Sequence, residues 1–169
     1  MFTLTERVTI SAAATDTFAT IDLGSYVDVG DRQALQIHSV DYILQGTTAD
    51  EVFATTFAAD ATVDAQLTDL NRGGLVFADD RALVSSMRLL FDNSNSAFTA
   101  ETDLFPDNYG KGSEDGRYVV NDQLYITART SALAANKSAN VIVRVNASIV
   151  SLTAKDFMAI AIQSTAADN

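Results

Sequence analysis

The clearest hydrophobic pattern in the chain alternates with a period of two over residues 139–150. The apolar parity consists of Val141, Val143, Val145, Ala147 and Ile149. The opposite parity carries Arg144, Asn146 and Ser148 together with two apolar residues. This alternation predicts a strand with one buried face and one largely solvated face. A strand of roughly 12 residues is about twice the usual length, which favours a broad antiparallel sheet over short parallel α/β strands.

Seven segments upstream also show strand patterns. They are residues 2–10, 17–23, 34–44, 52–57, 61–67, 83–91 and 116–128. Glu6 interrupts the apolar parity of the first segment, which is typical of an edge strand or of an arm packed on a neighbour. Residues 34–44 are apolar on both parities, which predicts a central strand or a contact between subunits. Residues 62–70 fit a helical turn as an alternative.

The segment that follows the long strand predicts a short helix. Thr153 and Asp156 have the spacing of a capping box. The buried stripe of the helix would consist of Phe157, Ile160 and Ala161. A strand over residues 157–163 is the alternative, and residues 164–169 are expected to form a mobile tail.

The sum of these segments is about eight strands with little helix and one long excursion over residues 92–115. This pattern predicts an all-β fold, an antiparallel double-sheet sandwich of which the jelly roll is the leading arrangement. A short C-terminal helix or strand would complete it. No linker divides the chain, so we expect a single domain over residues 1–169, with residues 1–25 as a candidate N-terminal arm.

The charge balance excludes several classes of partner. The chain has 22 acidic and 11 basic residues, a net charge of -11, and only three lysines. Phosphate backbones would be repelled, so no direct contact with nucleic acid is expected. The mixture is similar to that of proteins from salt-loving microbes and their viruses, where salt screens the self-repulsion. An ordinary acidic soluble protein is the alternative.

Cysteine and long apolar runs are both missing from the sequence. Without cysteine there is no disulfide framework, thiolate zinc site or cysteine nucleophile. No apolar run reaches the ~18 residues of a membrane span, and the N-terminal residues do not have the pattern of a signal peptide. We therefore expect neither secretion by that route nor insertion into a membrane.

No catalytic motif is visible in the sequence. His38 is the single histidine, so a histidine-cysteine zinc site cannot form, and no Gly-x-Ser-x-Gly sequence accompanies it. Paired acids could support glycoside hydrolysis on a sandwich. The candidates are Asp50 with Glu51, Asp79 with Asp80, Asp103 with Asp107, and Glu114 with Asp115. Because no tryptophan is present to stack on a sugar, we interpret them as solvated loop charges and expect no enzyme activity.

The long excursion also offers the only candidate cation ligands. Asp103, Asp107, Glu114 and Asp115 could supply carboxylate oxygens to a hard cation such as calcium. Their spacing matches no EF-hand. Beyond such a structural cation, no cofactor is expected.

The chain as a whole resembles the small single jelly-roll capsid proteins of tailless icosahedral viruses, especially the acidic ones of salt-loving archaea. The resemblance rests on residues 35–44, the loop over residues 105–109 and the closing block over residues 118–163. It implies a virion protein: a self-assembling coat subunit that packs side by side with its own copies and with other capsid proteins. Because the chain is acidic, an internal viral membrane, other proteins or counter-ions would lie between it and any enclosed DNA. The expected contact residues are Phe2, Leu4, Phe98, Phe105 and Tyr109.

A different function class also fits a β-sandwich of this composition. A carbohydrate-binding or adhesive module would hold its ligand with the loop over residues 92–115 and the aromatic residues in it. Such a module would work as a monomer, whereas a coat subunit must associate.

Overall fold

The computed structural model describes residues 1–28, 30–102 and 116–166, and these form nine strands and two helices. The strands are β1 (Phe2–Ile10), β2 (Thr17–Asp22), β3 (Gln33–Gln45), β4 (Ala61–Thr68), β5 (Leu83–Asp92), β6 (Ala97–Thr102), β7 (Arg117–Val119), β8 (Gln123–Thr130) and β9 (Ala139–Ser151). The helices are α1 (Phe53–Thr56) and α2 (Ala154–Ala166). Every strand pair is antiparallel, so the predicted all-β double-sheet class is confirmed.

The strands form two sheets whose order follows a simple rule. Sheet A has the order β1-β9-β3-β7, and sheet B has the order β2-β8-β4-β5-β6. The first strand pairs with the last, β2 with β8, β3 with β7, and β4 with β5. The chain is therefore an antiparallel ribbon folded back over itself, and its successive pairs fall alternately in the two sheets.

The core lies between the sheets, where the inward parities of the strands meet. Its fully buried members include Val8, Ile10, Leu67, Ile126, Val141, Val143 and Val145. The period-two pattern of β9 thus places its valines in the core, as predicted. β1 is an edge strand of sheet A, and Glu6 lies half-buried on its inward parity. An inward charge on an edge strand discourages pairing with another strand, which explains the interruption seen in the sequence.

A β-bulge in β3 explains why this strand is apolar on both parities. The register with β9 shifts between Ile37 and Ser39, so His38 is an extra residue. Leu35 and Ile37 point into the core before the bulge, and Val40 does so after it. β3 lies between β9 and β7, so the predicted central position is confirmed.

Helix α2 packs on the outer face of sheet A. Thr153 caps the helix: the Asp156 amide donates to Thr153 Oγ1 (3.2 Å), and that hydroxyl donates to Asp156 Oδ2 (2.6 Å), a bond between side chains in place of the second bond of a capping box. Phe157 is buried against Ala34 and Val120. The helix prediction is confirmed and the strand alternative is wrong. The helix reaches Ala166, so it includes the start of the predicted tail, and residues 167–169 lie outside the described part.

Two predicted strand segments are wrong in detail. Residues 53–56, within the predicted strand over residues 52–57, form α1, and the Thr55 hydroxyl donates to Glu51 Oε1 (3.0 Å) across this turn. The predicted strand over residues 116–128 is two strands, separated where Asn121 donates a side-chain hydrogen bond to the Asp69 carbonyl (2.6 Å).

Two further segments differ from the alternatives that the sequence left open. The helical-turn alternative for residues 62–70 is wrong, because the segment belongs largely to β4 between β5 and β8. The long excursion contains β6, which forms a hairpin with β5. The hairpin turn has Ser96 at φ 50 and an Asx bond from the Asn95 amide to Asp92 Oδ1 (3.1 Å). Polar turn residues concealed the short strand that follows them.

Candidate functional site on the outer sheet faces

The outer face of sheet B has its charged side chains arranged in pairs. One row crosses four neighbouring positions: Asp16, Arg129, Asp64 and Arg88. Arg129 Nη1 lies 3.7 Å from Asp16 Oδ1, Arg88 Nε donates to Asp64 Oδ1, and Asp64 faces Arg129 in register. The alternating signs neutralise one another, so this part of an acidic protein carries little net charge.

A second row beside these charges is uncharged. Phe18 on β2 faces Thr127 on β8, Thr127 faces Gln66 on β4, and Gln66 faces Ser86 on β5. Phe18 is on the outward parity of an edge strand and is 54% exposed. Tyr125, two residues before Thr127 on β8, also points outward, because its neighbours Leu124 and Ile126 point into the core.

The connection between β4 and β5 is fixed to this face by a side-chain amide. Gln66 Oε1 accepts from the Val76 amide and Gln66 Nε2 donates to the Val76 carbonyl, both at 2.8 Å. This pair of bonds holds Val76 as a neighbouring strand residue would. Arg72 and Asp80 close the same connection with an ion pair of 3.2 Å. The side chain next to the fixed residue, Phe77, is 88% exposed.

Two clefts lie on either side of the fixed segment. The first has a volume of about 400 Å³ and contains the Asp64–Arg88 pair. The second has a volume of about 370 Å³ and no charged lining residue. Its lining residues are Phe18, Ala19, Thr20, Asn71, Gly73, Tyr125, Ile126 and Thr127. The sheet B face thus combines an exposed phenyl group, an uncharged cleft and paired charges.

The outer face of sheet A is bound together by polar side chains. The Asn146 amide donates to Ser39 Oγ (2.8 Å), and Asn146 Oδ1 accepts from the Thr3 hydroxyl (2.7 Å), which links β3, β9 and β1. His38 Nε2 lies 2.8 Å from Ser148 Oγ. His38 is buried, and its contact with Ser148 ties the bulge in β3 to β9.

Helix α2 adds exposed apolar side chains on the sheet A side. Met158 and Ile162, one turn apart, are 58% and 59% exposed. Ile149 near the end of β9 is also exposed, although it lies on the inward parity that the sequence predicted to be buried. Exposed large apolar side chains therefore occur on both outer sides of the sandwich.

Glu51 fastens one end of the sandwich. Its carboxylate accepts from the Lys137 ammonium, the Thr47 amide (2.7 Å) and the Thr55 hydroxyl (3.0 Å). The hydrogen bond from Lys137 is the main reason that the pKa of Glu51 falls to about 2. Glu51 and its neighbour Asp50 were one of the paired-acid candidates, and the contacts of Glu51 are those of a structural ion pair.

Burial is the largest influence on the pKa of Asp69. Burial raises the pKa of its carboxyl, and the guanidinium of Arg117, with Nη2 3.3 Å from Asp69 Oδ2, opposes that rise. Arg117 also donates to the Arg81 carbonyl (2.6 Å). This ion pair joins the start of the β4–β5 connection to β7.

The structure gives places for some of the predicted site residues. Phe2 stacks on Tyr26 with ring centroids 5.0 Å apart, and Leu4 lies in the core. Phe98 is half-buried and contacts the rings of Phe53, Phe57 and Phe91. These three predicted contact residues therefore pack chiefly on the protein's own side chains.

The remaining predicted residues lie outside the described ranges. They are Phe105, Tyr109, Asp103, Asp107, Glu114 and Asp115. Within residues 1–28, 30–102 and 116–166, no three acidic or histidine residues cluster as metal ligands would. In the same residues, no helix has the length and apolar character of a membrane span.

The exposed side chains of the sheet B face were missed by the sequence-based contact prediction. Phe18 could have been found, because it lies on the parity opposite to Ile21 within a predicted strand. Phe77 has no such signal, because its exposure depends on the contact between Gln66 and Val76, residues ten positions apart.

A known protein shows a weak structural similarity to this chain. No protein-family model matches the chain, and no curated protein matches it. A solved structure from Desmodium yellow mottle tymovirus is similar at 9% sequence identity, covering 90% of this chain and 90% of that one, with a TM-score of 0.31. A likeness this weak carries no argument about function.

Proposed function

We propose that this protein is a non-catalytic, self-assembling coat subunit built on a jelly roll. The strand pairing supports the jelly roll: four ribbon pairs, β1 with β9, β2 with β8, β3 with β7 and β4 with β5, alternate between the two sheets. Double-sheet jelly rolls occur in viral capsid proteins, lectins and cupins. The fold alone does not separate these three classes of protein, so the choice among them rests on the features of the protein surface.

The observation that carries the proposal is the presence of exposed large apolar side chains on two opposite sides of the sandwich. Phe18 and Phe77 lie on the sheet B side, and Met158 lies on the sheet A side. Clusters of exposed apolar residues mark contact sites. A closed dimer covers one such surface, whereas a subunit in a shell must contact neighbours through at least two.

The net charge of -11 sets the conditions under which assembly would occur. At low ionic strength the copies repel one another, and at ~1 M salt the Debye length shortens to about 3 Å. A coat of this kind suits a high-salt environment such as that of viruses of salt-loving archaea. In that setting its neighbours in the virion would be its own copies, other capsid proteins and an internal membrane rather than DNA.

Light scattering after size-exclusion chromatography tests the proposal. The expected result is a rise in mass above 18.1 kDa, to rings, sheets or particles, as salt and protein concentration increase. Electron micrographs of the large fractions should show regular assemblies. A single 18.1-kDa species under all these conditions would exclude a shell function.

One observation favours the second candidate, a carbohydrate-binding module. The uncharged cleft on sheet B combines the aromatic rings of Phe18 and Tyr125 with the amide of Asn71, and sugars bind to such combinations of stacking and hydrogen-bonding groups. Specific glycan-array binding by the monomer, abolished in Tyr125→Ala, would support this function instead.

A further inference from the structure

We infer that the sheet B face is the contact between two copies of this chain, in which Phe77 of each copy inserts into the uncharged cleft of the other. The inference rests on the proposed function and deepens it by naming one of the interfaces. The face consists of the outward side chains of β2, β8, β4 and β5 together with the connection over residues 69–82.

The Phe77 side chain has the features of an anchor residue in a protein–protein interface. A phenyl group that is 88% exposed leaves most of its apolar surface in water, which is unfavourable for an isolated monomer. The two hydrogen bonds between the Gln66 side chain and the Val76 backbone fix the backbone next to Phe77. Little conformational freedom of the segment is therefore lost on binding. Rigid aromatic side chains of this kind carry much of the binding energy in protein interfaces.

The receiving site lies on the same face of the molecule. The cleft lined by Phe18, Thr20 and Tyr125 measures about 370 Å³, and a cavity of about 150 Å³ suffices for benzene. Aromatic and threonine side chains offer a phenyl ring an apolar wall and no charge. When a projecting group and its receptor share one surface, a two-fold axis places each against the other copy.

Charge identifies the occupant as a second copy. Each chain carries a net charge of -11, so two copies can approach only where acidic charge is compensated. On the sheet B face, the ion pairs Asp16–Arg129, Asp64–Arg88 and Arg72–Asp80 provide that compensation. Because these charges are paired, a strongly basic partner would gain little at this part of the face, and a copy of the same surface meets little repulsion there.

Three variants test the contact at high salt by sedimentation velocity. Phe77→Glu removes the projecting group, and Thr20→Arg fills the cleft from an exposed position on β2. Each should raise the dimer dissociation constant at least about tenfold. Val52→Glu is the matched control, because it places the same charge at an apolar position that is 66% exposed and belongs to neither proposed contact surface. Its two-fold dimer should keep the wild-type constant.

A mixing experiment with two uncharged variants, Phe77→Ala and Thr20→Trp, separates this contact from an effect of charge. Phe77→Ala keeps its cleft and Thr20→Trp keeps its phenyl group while filling its cleft, so the mixed dimer retains one of the two insertions. The mixture should associate more tightly than either variant alone. Circular dichroism of each variant, compared with the wild type, establishes that all are folded.

The possible failures point to different conclusions. A wild-type chain that stays monomeric at all salt and protein concentrations overturns both this contact and the proposed function. Assembly that tolerates Phe77→Glu and Thr20→Arg overturns only the contact and leaves the coat function standing. A rise of the same size in the dissociation constant for Val52→Glu would attribute the effect to the added charge and refute the inference.

Discussion

At the residue level, the pKa values of two acidic side chains are shifted in opposite directions. Glu51 is held ionised by Lys137, and its pKa falls to about 2. Asp69 is buried, and its pKa rises above the ordinary value despite Arg117. Each shift becomes a change in folding stability with pH, because protons bind differently to the folded and unfolded chains.

Glu51 should stabilise the fold at neutral pH and lose that effect in acid. Its carboxylate is favoured in the folded state, so the stabilisation is present above the unfolded pKa of 4.5 and disappears as pH falls toward about 2. Glu51→Gln is therefore expected to melt at a lower temperature than wild type at pH 7, with the difference vanishing near pH 2. Thermal unfolding between pH 2 and pH 7 measures this.

The neighbouring residue provides the control for Glu51. Asp50 is exposed and accepts one hydrogen bond, from the Thr48 hydroxyl (2.9 Å). Asp50→Asn should keep the pH dependence of the wild type. Parallel melting curves for Glu51→Gln and wild type across the whole range would show that the Lys137 contact does not stabilise the fold.

Arg117 should matter because it compensates the buried charge of Asp69. Arg117→Met leaves that carboxylate without its guanidinium, and we expect a loss of about 2–3 kcal/mol of unfolding free energy at pH 7. This is less than for a fully buried pair because Arg117 is partly exposed. The raised pKa of Asp69 gives the sign: protonation removes the unpaired charge, so the loss should shrink as pH falls from 7 toward 4.

Urea unfolding of the double variant isolates the ion pair. In the Asp69→Asn background, Arg117→Met should cost clearly less than in the wild type, since no buried carboxylate remains. An equal cost in both backgrounds would assign the stabilisation to the hydrogen bond between Arg117 and the Arg81 carbonyl (2.6 Å) instead.

At the scale of elements, helix α2 depends on one buried ring. Phe157 packs against Ala34 and Val120 on the outer face of sheet A. Phe157→Ala should destabilise the protein by about 3 kcal/mol, because the ring leaves a cavity between helix and sheet. Met158→Ala, at an exposed position of the same helix, should stay within about 0.5 kcal/mol of wild type. Urea unfolding followed at 222 nm compares the two, and equal losses would refute this packing.

The elements that the sequence predicted well are those whose pattern is long. β9 repeats with a period of two over 13 residues, and the spacing of Thr153 and Asp156 announces α2. α1 has only four residues, which is too few for a helical period to show in the sequence. The bulge at His38 appeared in the sequence only as apolar residues on both parities.

The candidate contact surface could be predicted only in part, for a physical reason. Outward positions such as Phe18 follow from strand parity. The exposure of Phe77 depends on where a connection lies across the sheet, which is set by a side-chain amide on β4 bonding to Val76. Such a contact leaves no periodic trace in the sequence.

The whole molecule is a β-sandwich with a net charge of -11 and with exposed large apolar side chains on both outer sides. The paired strands close the core, and we propose that the two outer faces are the contact surfaces. Because the net charge of -11 opposes association, salt should control assembly without changing the fold.

The most direct test of the central claim is the mass of the wild-type protein as salt increases from about 0.1 to 2 M, measured by light scattering at several protein concentrations. We expect an 18.1-kDa species at low salt and reversible growth to multimers at high salt, with an unchanged circular dichroism spectrum. A mass of 18.1 kDa at every salt and protein concentration would contradict it.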